Sequence, residues 1–531
     1  MSTSESLEVH SSSRSHKIAM NHERNNSLNY SLQLNTERFK SLLLLITSIG
    51  MLFRICIAMY QPHSGKSNPP MYGDFEAQRH WIEITKHLPI SEWYFYDLEY
   101  WGLDYPPLTA FHHYLMGKFS DLFGLCEGCF DFLSSRGNQS HQTVMFMRVS
   151  VIVSDLVLYI PACFLLLMEF RERYKNSMWE CIWLICFPSL ILIDHGHFQF
   201  NNIFLGLTLL SIYFLIQFQK NDSNLLSLSL ACLLFVCSVC YKQMALYYSL
   251  SFFFYILAQS LSRPKAFMVV ALSVITSFGI IFAPFLMQSN GLNVFLQVIH
   301  RMFPFKRGLF EDKVASFWCS TSIFIKWNQL FNEKALVRLS TISTLVVALP
   351  SCLHLFYKVW SLRNSVSSRY LQNLFFINLA IVSFAFYLFS FQVHEKTILL
   401  PLLPCLLIYI QNIQKASLSQ LIPFLNIVAC FSMYPLFIKD NLKLVYVLVQ
   451  ILSIMISCVN FEKLGKLLKM VVVLSLIGMV AIHLTMHFVQ PPQRYPDLFT
   501  LMCTTFSFAH FIMFTLLLYV VQFYTLDTKM E

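Results

Sequence analysis

Charged residues are scarce in this chain. Asp, Glu, Lys and Arg together make up 13% of its 531 residues, whereas apolar residues make up 56%. Soluble domains carry about 25% charged residues, and a fold this poor in charge cannot cover itself with polar surface. The composition therefore excludes a soluble globular enzyme and predicts a membrane protein.

Short segments of alternating hydrophobicity, which mark the strands of a membrane barrel, are also lacking. The chain instead has apolar runs close to the ~20 residues that a helix needs to cross a bilayer. We predict an all-α polytopic membrane protein with about fourteen spanning helices (range about 11–14). The runs lie near residues 41–60, 145–168, 178–194, 201–218, 224–240, 243–258, 266–287, 338–356, 371–392, 397–413, 418–438, 441–458, 470–487 and 499–523.

No cleavable signal peptide is visible, because the first 40 residues are polar and hold no apolar core. We interpret residues 1–40 as a disordered cytosolic tail, 41–523 as the membrane domain and 524–531 as a second cytosolic tail. The short loops that follow from this orientation, such as "RERYK" and "SRPK", are basic, in agreement with the positive-inside rule. The two long loops, 61–144 and 288–337, are then both lumenal.

Further metal ligands are missing around "LCEGCF", so Cys126 and Cys129 are interpreted as ordinary loop thiols or a local disulfide rather than a zinc site. A metal site at Asp194, His195 and His197 was weighed because these residue types are metal ligands. Substrate contacts or structural hydrogen bonds are favoured there. We predict no metal and no cofactor.

Ionisable residues cluster instead at the start of the first lumenal loop, in "MYGDFEAQRHW". The segment "DFEAQRHWIEITKHL" has helical spacing, with Phe75 on an apolar side and Glu76, Arg79 and Glu83 on a charged side. This pattern predicts an amphipathic helix lying in the membrane interface and ending at Pro89.

Two acidic residues of this loop have two readings each. Asp74, near the helix start, is either a helix cap or a general base at the membrane surface. Asp104, in "LDYPP", is either a turn-forming residue or a second acid of a site. The residues alone leave both choices open. Asn138, in "NQS", is a possible glycosylation site.

Other polar motifs face the same side as this loop, including "DHGHFQFN", "YKQ", "VHEK" and "QPPQRYPD". Their convergence predicts a site at the lumenal face. Polar residues within the spans, such as Arg54 and Asp155, also fit a transporter. The absence of an internal repeat, and the gathering of polar motifs at one face, speak against a transporter. A non-catalytic membrane scaffold is a third reading.

Four segments, "YGDFEAQRHWIEIT", "YWGLDYPPLTAFHH", "HGHFQFNNIFLGL" and "HEKTILLPLLP", resemble the dolichyl-phosphate-glucose-dependent alpha-1,3-glucosyltransferases of the endoplasmic reticulum. The resemblance covers most of the chain after the N-terminal tail. It is greatest to the members that add the first glucose to the nine-mannose lipid-linked oligosaccharide; the paralogues that add the second glucose are the alternative.

This resemblance implies a GT-C glycosyltransferase fold in the endoplasmic reticulum membrane, with the N-terminus in the cytosol and a lumenal site. It implies two partners, dolichyl-phosphate-glucose as donor and the dolichyl-diphosphate-linked oligosaccharide as acceptor, and no metal or nucleic acid. No glycine-rich loop of the type that binds nucleotide phosphates is present, which favours a sugar donor carried on a lipid. The matching catalytic acid is Asp74, with Asp104 as a supporting acid.

Cations are needed near the phosphate that leaves the donor. For His394 and Lys396, the alternative to binding the phosphate is anchoring at the membrane interface. For Lys306 and Arg307, the alternative is a solvated charge in a loop. The donor-phosphate candidates are His394, Lys396, Lys306, Arg307, Arg79 and His80. Further site candidates are Glu76, Glu395, His195 and His197.

Overall fold

A computed structural model describes residues 36–171, 179–303, 313–363, 365–411, 418–462 and 464–525. The predictions for residues 1–35, Lys306, Arg307 and 526–531 fall outside these ranges. The chain divides into two compact units, Met1–Gly50 and Met51–Glu531. The described part of the first unit, 36–50, belongs to the helix Thr36–Tyr60, and every other element described below lies in the second unit.

The described residues form helices and connecting turns, with no strand among them. The first ten helices are α1 (Thr36–Tyr60), α2 (Gly73–His87), α3 (Pro107–Phe123), α4 (His141–Phe170), α5 (Glu180–Phe198), α6 (Asn201–Lys220), α7 (Leu225–Tyr241), α8 (Ser249–Ser260), α9 (Pro264–Leu286) and α10 (Gly291–Met302). The remainder are α11 (Phe317–Thr321), α12 (Trp327–Leu330), α13 (Glu333–Leu362), α14 (Ser368–Phe389), α15 (Leu399–Ile410), α16 (Leu418–Ser432), α17 (Tyr434–Lys439), α18 (Lys443–Phe461), α19 (Lys466–Phe488) and α20 (Leu498–Val520).

Within the described ranges, nine helices are long and apolar enough to cross a membrane. They are α1, α4, α5, α6, α9, α13, α14, α19 and the helix Leu498–Tyr524 that includes α20. The all-helical polytopic prediction is thus confirmed. The other predicted runs coincide with shorter helices, such as α7, which ends before Lys242, and α15, which begins at Leu399.

Helices of the second unit differ sharply in how much of their surface other helices cover. In the most apolar window of α14, 89% of the residues are buried, whereas in α19 only 17% are. α14 packs against α13, α15 and α20 and is therefore central. Exposed apolar residues of α19, such as Leu467 and Leu474, present the surface expected to meet lipid.

The amphipathic interpretation of α2 is wrong in one respect. The helix forms as predicted and ends at His87, just before Pro89, but its charged side is not exposed. Glu76, Arg79 and Glu83 are fully buried, as is Phe75 on the opposite side. A loop between α3 and α4, residues 129–137, covers the charged side and supplies its partners.

Candidate active site

The start of α2 is built so that Asp74 lies close to the end of α5. Gly65 and Gly73 both have a positive φ, and a Cβ on Gly65 would come within 2.1 Å of the Tyr72 carbonyl carbon. Only glycine fits that approach. It places Ser64 where its hydroxyl oxygen accepts the backbone N–H of Asp74 at 3.3 Å, while its own N–H donates to the His197 carbonyl at 2.8 Å.

The cap of this helix end therefore comes from Ser64, and the Asp74 carboxylate makes no capping bond. Its Oδ2 accepts hydrogen bonds from Lys396 Nζ and Gln199 Nε2 and lies 3.1 Å from His197 Nε2. Its Oδ1 accepts no hydrogen bond from any described residue, and 26% of the side chain is exposed. One oxygen is anchored and the other is available for a proton.

The charge state of Asp74 follows from these neighbours. Burial alone would raise the pKa of this carboxyl, but the positive charge of Lys396 and the contact with His197 outweigh burial and hold the pKa well below its ordinary value. Asp74 is consequently ionised at neutral pH and can only accept hydrogen bonds, which is the form that a general base requires.

His197 lies in a wide π-helical turn, Leu192–Phe198, at the end of α5. Its Nδ1 lies 2.5 Å from Asp440 Oδ2, just after α17, and its Nε2 faces Asp74. Phe198 follows with a positive φ of 89°, so the chain turns sharply before Gln199. The turn brings His197 and Gln199 to the same carboxylate oxygen.

Lys242, at the break that ends α7, determines which way Gln199 points. Its ammonium donates to Gln199 Oε1 and to Asn201 Oδ1, both at 2.6 Å. Because an ammonium only donates, Gln199 must turn its oxygen to Lys242 and its NH2 to Asp74. Asn201 in turn donates to Asp194 Oδ1 at 2.7 Å. Burial lowers the pKa of Lys242, and the charges of Asp194 and Asp74 act against burial in favour of the ammonium.

Arg79 does not face this carboxylate. Its guanidinium donates to Glu76 at 2.7 and 2.8 Å, to Glu83 at 2.7 Å, to Ser135 at 2.6 Å and to the Cys129 carbonyl at 3.5 Å, which uses every N–H that it has. The structure therefore assigns Arg79 to holding α2 against the loop, and not to a phosphate.

His80 and Glu76 belong to the same buried network. The His80 ring lies 3.2 Å from both Glu83 and Asp97, and Glu76 accepts from the Tyr100 hydroxyl at 3.1 Å. Burial would raise the pKa of Glu83, but hydrogen bonds from His80 and Arg79 lower it to about 2. These candidates support the position of α2 and lie outside the contacts of Asp74.

His195 lies in a separate cluster, although it is two residues from His197. Its Nε2 is 2.6 Å from Asp155 Oδ2, and the same oxygen accepts from Arg54 Nε at 3.1 Å. Arg54 also donates to the Ile185 carbonyl at 2.8 Å. The intramembrane charges that fit a transporter thus form a buried ion pair that joins α1, α4 and α5.

The remaining candidates lie near the edges of the site. Lys396 is in the short 3₁₀ turn Glu395–Ile398, and His394 precedes that turn with its carbonyl accepting from Thr397. Both His394 and Glu395 are half-buried. The backbone carbonyl of Asp104 accepts a hydrogen bond from Gln243 at 3.2 Å. The charge of the Asp104 carboxylate acts on Lys242.

Comparison with known proteins decides the family. Residues 46–517 match the sequence profile described as the ALG6, ALG8 glycosyltransferase family. The chain belongs to this family. The prediction of a polytopic membrane glycosyltransferase from the sequence is confirmed.

Several members of the ALG6, ALG8 family named as "Dolichyl pyrophosphate Man9GlcNAc2 alpha-1,3-glucosyltransferase" are similar to this chain. The Saccharomyces cerevisiae protein is 40% identical over 503 residues, covering 87% of this chain and 88% of its own length. The Gallus gallus protein is 36% identical, with 85% and 91% covered, and the Rattus norvegicus protein is 33% identical, with 88% and 94% covered.

Three residues of this site were not among the candidates predicted from the sequence: Gln199, Lys242 and Asp440. Gln199 and Lys242 lie inside the motifs "DHGHFQFN" and "YKQ", so the available signal was polar residues at the ends of apolar helices. Asp440 follows an apolar run as a single acid, and only the fold shows its contact with His197.

Cys126 and Cys129 form a disulfide, which excludes them as zinc ligands. Over the described ranges, no group of three or more His, Cys, Asp and Glu side chains is placed to hold a metal ion. At the Asp74 carboxylate, the contacting cation is the Lys396 ammonium.

Proposed function

We propose that this chain is an inverting glucosyltransferase that moves glucose from dolichyl-phosphate-glucose to dolichyl-pyrophosphate Man9GlcNAc2, forming the first alpha-1,3-glucose linkage. Family membership and the names of the similar proteins support the acceptor. The observation that carries the mechanism is the Asp74 carboxylate, which is ionised, held through Oδ2 and open at Oδ1.

The stereochemistry of this transfer requires one displacement. The donor carries a beta-linked glucosyl phosphate and the product an alpha linkage, so the anomeric carbon inverts. Asp74 Oδ1 takes the proton from the mannose 3-hydroxyl as that oxygen bonds to the anomeric carbon and the bond to phosphate breaks. The transition state is oxocarbenium-like, as in inverting glycosidases. The phosphate leaves as an anion and needs no acid.

The charge that develops on the leaving phosphate needs a cation, and inversion places that phosphate on the face of the sugar opposite the base. Lys396 is one candidate; its ammonium contacts Asp74 Oδ2 and lies 3.1 Å from His197 Nε2, on the same side of the site as the base. Arg79 and His80 are committed elsewhere. His394, adjacent to Lys396 and half-buried, is the second candidate for the phosphate.

The proposed location is the endoplasmic reticulum membrane, with a cytosolic N-terminus and Asp74 on the lumenal side. The candidate spanning helices support a multi-pass membrane protein. The disulfide Cys126–Cys129 supports the orientation, because disulfides form in oxidising compartments and this pair lies in the same loop as Asp74.

The test is turnover by purified protein given dolichyl-phosphate-glucose with either unglucosylated or monoglucosylated lipid-linked oligosaccharide. We expect product only from the unglucosylated acceptor, and a loss of at least about 10²–10⁴-fold in Asp74→Asn, the range for removing a general base. Asp121→Asn is the matched control, since Asp121 makes an exposed ion pair with Lys86.

Turnover of the monoglucosylated acceptor alone would show the activity of the paralogous enzyme. Normal turnover by Asp74→Asn would remove Asp74 as the base, and no turnover with either acceptor would refute the proposed function.

A further inference from the structure

Asp440 lies on the far side of His197 from the proposed base. We propose that Asp440 is a positioning residue: it holds His197 through Nδ1 so that His197 Nε2 grips Asp74 Oδ2 and leaves Oδ1 to take the proton. This assignment rests on the proposed function only in naming Asp74 as the base.

The geometry places the imidazole between two carboxylates. His197 Nδ1 is 2.5 Å from Asp440 Oδ2, and Nε2 is 3.1 Å from Asp74 Oδ2. His197 is 2% exposed and Asp440 is 6% exposed, so neither contact is replaced by bulk water. Ionised carboxylates only accept hydrogen bonds, and a ring with an N–H on each nitrogen satisfies both.

The segment that carries Asp440 is fixed against the turn that carries His197. α17 ends at Lys439, the Asp440 N–H donates to the Leu436 carbonyl, and the Leu442 N–H returns to the Phe437 carbonyl at 2.8 Å. Leu442 packs so closely on Gly196 that a Cβ there would lie 3.2 Å from its side chain. Leu442, two residues after Asp440, thus fixes this segment against Gly196, the residue before His197.

Other charges near this pair define the competing explanation. Lys396 Nζ is 3.1 Å from His197 Nε2, and the charge of Asp440 also acts on Arg148 and His63. Arg148 donates to the carbonyls of His195, Gly196, Gln61 and Pro62. A role of Asp440 as the counterion of Arg148 alone would be structural and would not depend on His197.

The two roles of Asp440 differ in their effect on the pKa of Asp74. His197 lowers the pKa of Asp74, together with Lys396. Asp440→Asn keeps the side-chain volume but withdraws the charge that stabilises a protonated His197. The pKa of Asp74 then rises, and the acid limb of the pH–rate profile moves to higher pH.

The first experiment measures kcat and KM for the donor and acceptor, with pH profiles, in Asp440→Asn, His197→Gln and the double variant. We expect Asp440→Asn to lower kcat about tenfold or more, as removal of a partner that orients a histidine does, with both KM values within about twofold. The acid limb should move up, and the double variant should be no slower than His197→Gln. Asp440→Glu, which restores the carboxylate, should recover part of the rate.

The second experiment needs no substrate. Melting temperatures of the detergent-solubilised full chain are measured for Asp74→Asn, Asp440→Asn and their combination. We expect the two effects to be non-additive by about 1–3 °C, and additive in a His197→Gln background.

Wild-type rates in Asp440→Asn, an unshifted acid limb, or additive melting temperatures with His197 present would each overturn the role of Asp440. Failure of the wild-type protein to turn over would refute the proposed function instead, and the melting temperatures would still decide the role of Asp440.

Discussion

Asp74 uses its two carboxylate oxygens for different purposes. Lys396, Gln199 and His197 all meet Oδ2, so the side chain is held without occupying Oδ1. A base that is positioned by one oxygen can keep its reactive oxygen fixed relative to a bound hydroxyl. The cost is a weaker base, because the same partners lower its pKa.

The lowered pKa of Asp74 predicts the pH range of the enzyme. Asp74 acts only when ionised, so activity is present above its pKa and is lost as pH falls through it. We expect the acid limb of kcat/KM to lie below about 4, the ordinary value for Asp. In Lys396→Met the main opposing charge is gone, the pKa rises, and the limb moves to higher pH.

Initial rates across the acidic range check this expectation. Lys86→Met is the control, because Lys86 pairs with Asp121, away from Asp74. Lys396→Met is expected to lower kcat as well, since the ammonium is a candidate for the phosphate, so the limb position is the deciding measurement. An acid limb unchanged in Lys396→Met would contradict the electrostatic account.

Where a residue lay in a distinctive motif, the sequence alone predicted it as a site candidate. Asp74, Lys396 and His197 were all candidates, and the structure brings them together, although their roles stay predictions. Asp440 could not be found in this way, because 243 residues separate it from His197 along the chain and no local pattern records their contact. His195 and His197 lie two residues apart on a π-helical turn and point to different carboxylates, and sequence reasoning could not separate them: His195 meets Asp155, and His197 meets Asp74.

At the scale of an element, α2 shows why periodicity predicted the helix but not its surroundings. Hydrophobic spacing found the helix and Pro89 its end, whereas a charged side was assumed to face solvent. Burial of Arg79 with Glu76 and Glu83 requires the loop at 129–137, which no periodicity within α2 encodes. The same holds for the shorter apolar helices, where composition located the apolar run but not the residue at which the helix ends, as at Tyr241 in α7.

The burial of Arg79 with its two carboxylate partners leads to a prediction about the stability of the protein. Arg79→Met leaves two carboxylates without their cation inside the protein, and we expect a loss of about 3–5 kcal/mol in the free energy of unfolding. Thermal or denaturant unfolding of the purified protein measures it. The matched control is Arg136→Met, whose partly exposed pair with Asp97 should contribute about 0–1 kcal/mol.

Equal losses in the two variants would mean that the buried cluster does not stabilise α2. Because Arg79 has no N–H left for a phosphate, we also expect KM for the donor to be little changed in any Arg79→Met protein that remains folded.

At the scale of the whole molecule, orientation in the membrane decides which compartment the site faces. Asn138 lies in the sequon "NQS", in the same loop as Asp74 and the disulfide, and its side-chain oxygen accepts the Ser140 N–H at 2.9 Å. A lumenal loop exposes this sequon to glycosylation.

We expect protein made in microsomes to carry a glycan that endoglycosidase removes and that Asn138→Gln lacks. The mass shift on a gel measures this. Asn221, in the triplet "NDS", falls on the predicted cytosolic side, so Asn221→Gln is the control and should change nothing. A shift that disappears in Asn221→Gln and persists in Asn138→Gln would reverse the predicted orientation.

The contacts of Asp74 also have a consequence for biosynthesis. Lys396 follows Asp74 by 322 residues, and the Asp440 contact of His197 is made later still. Each of the partners therefore leaves the ribosome long after the carboxylate does. A nascent or prematurely terminated chain that ends before residue 396 has α2 but lacks both Lys396 and Asp440, and we expect it to be inactive. Synthesis must therefore pass Asp440 before the full set of contacts around Asp74 can form.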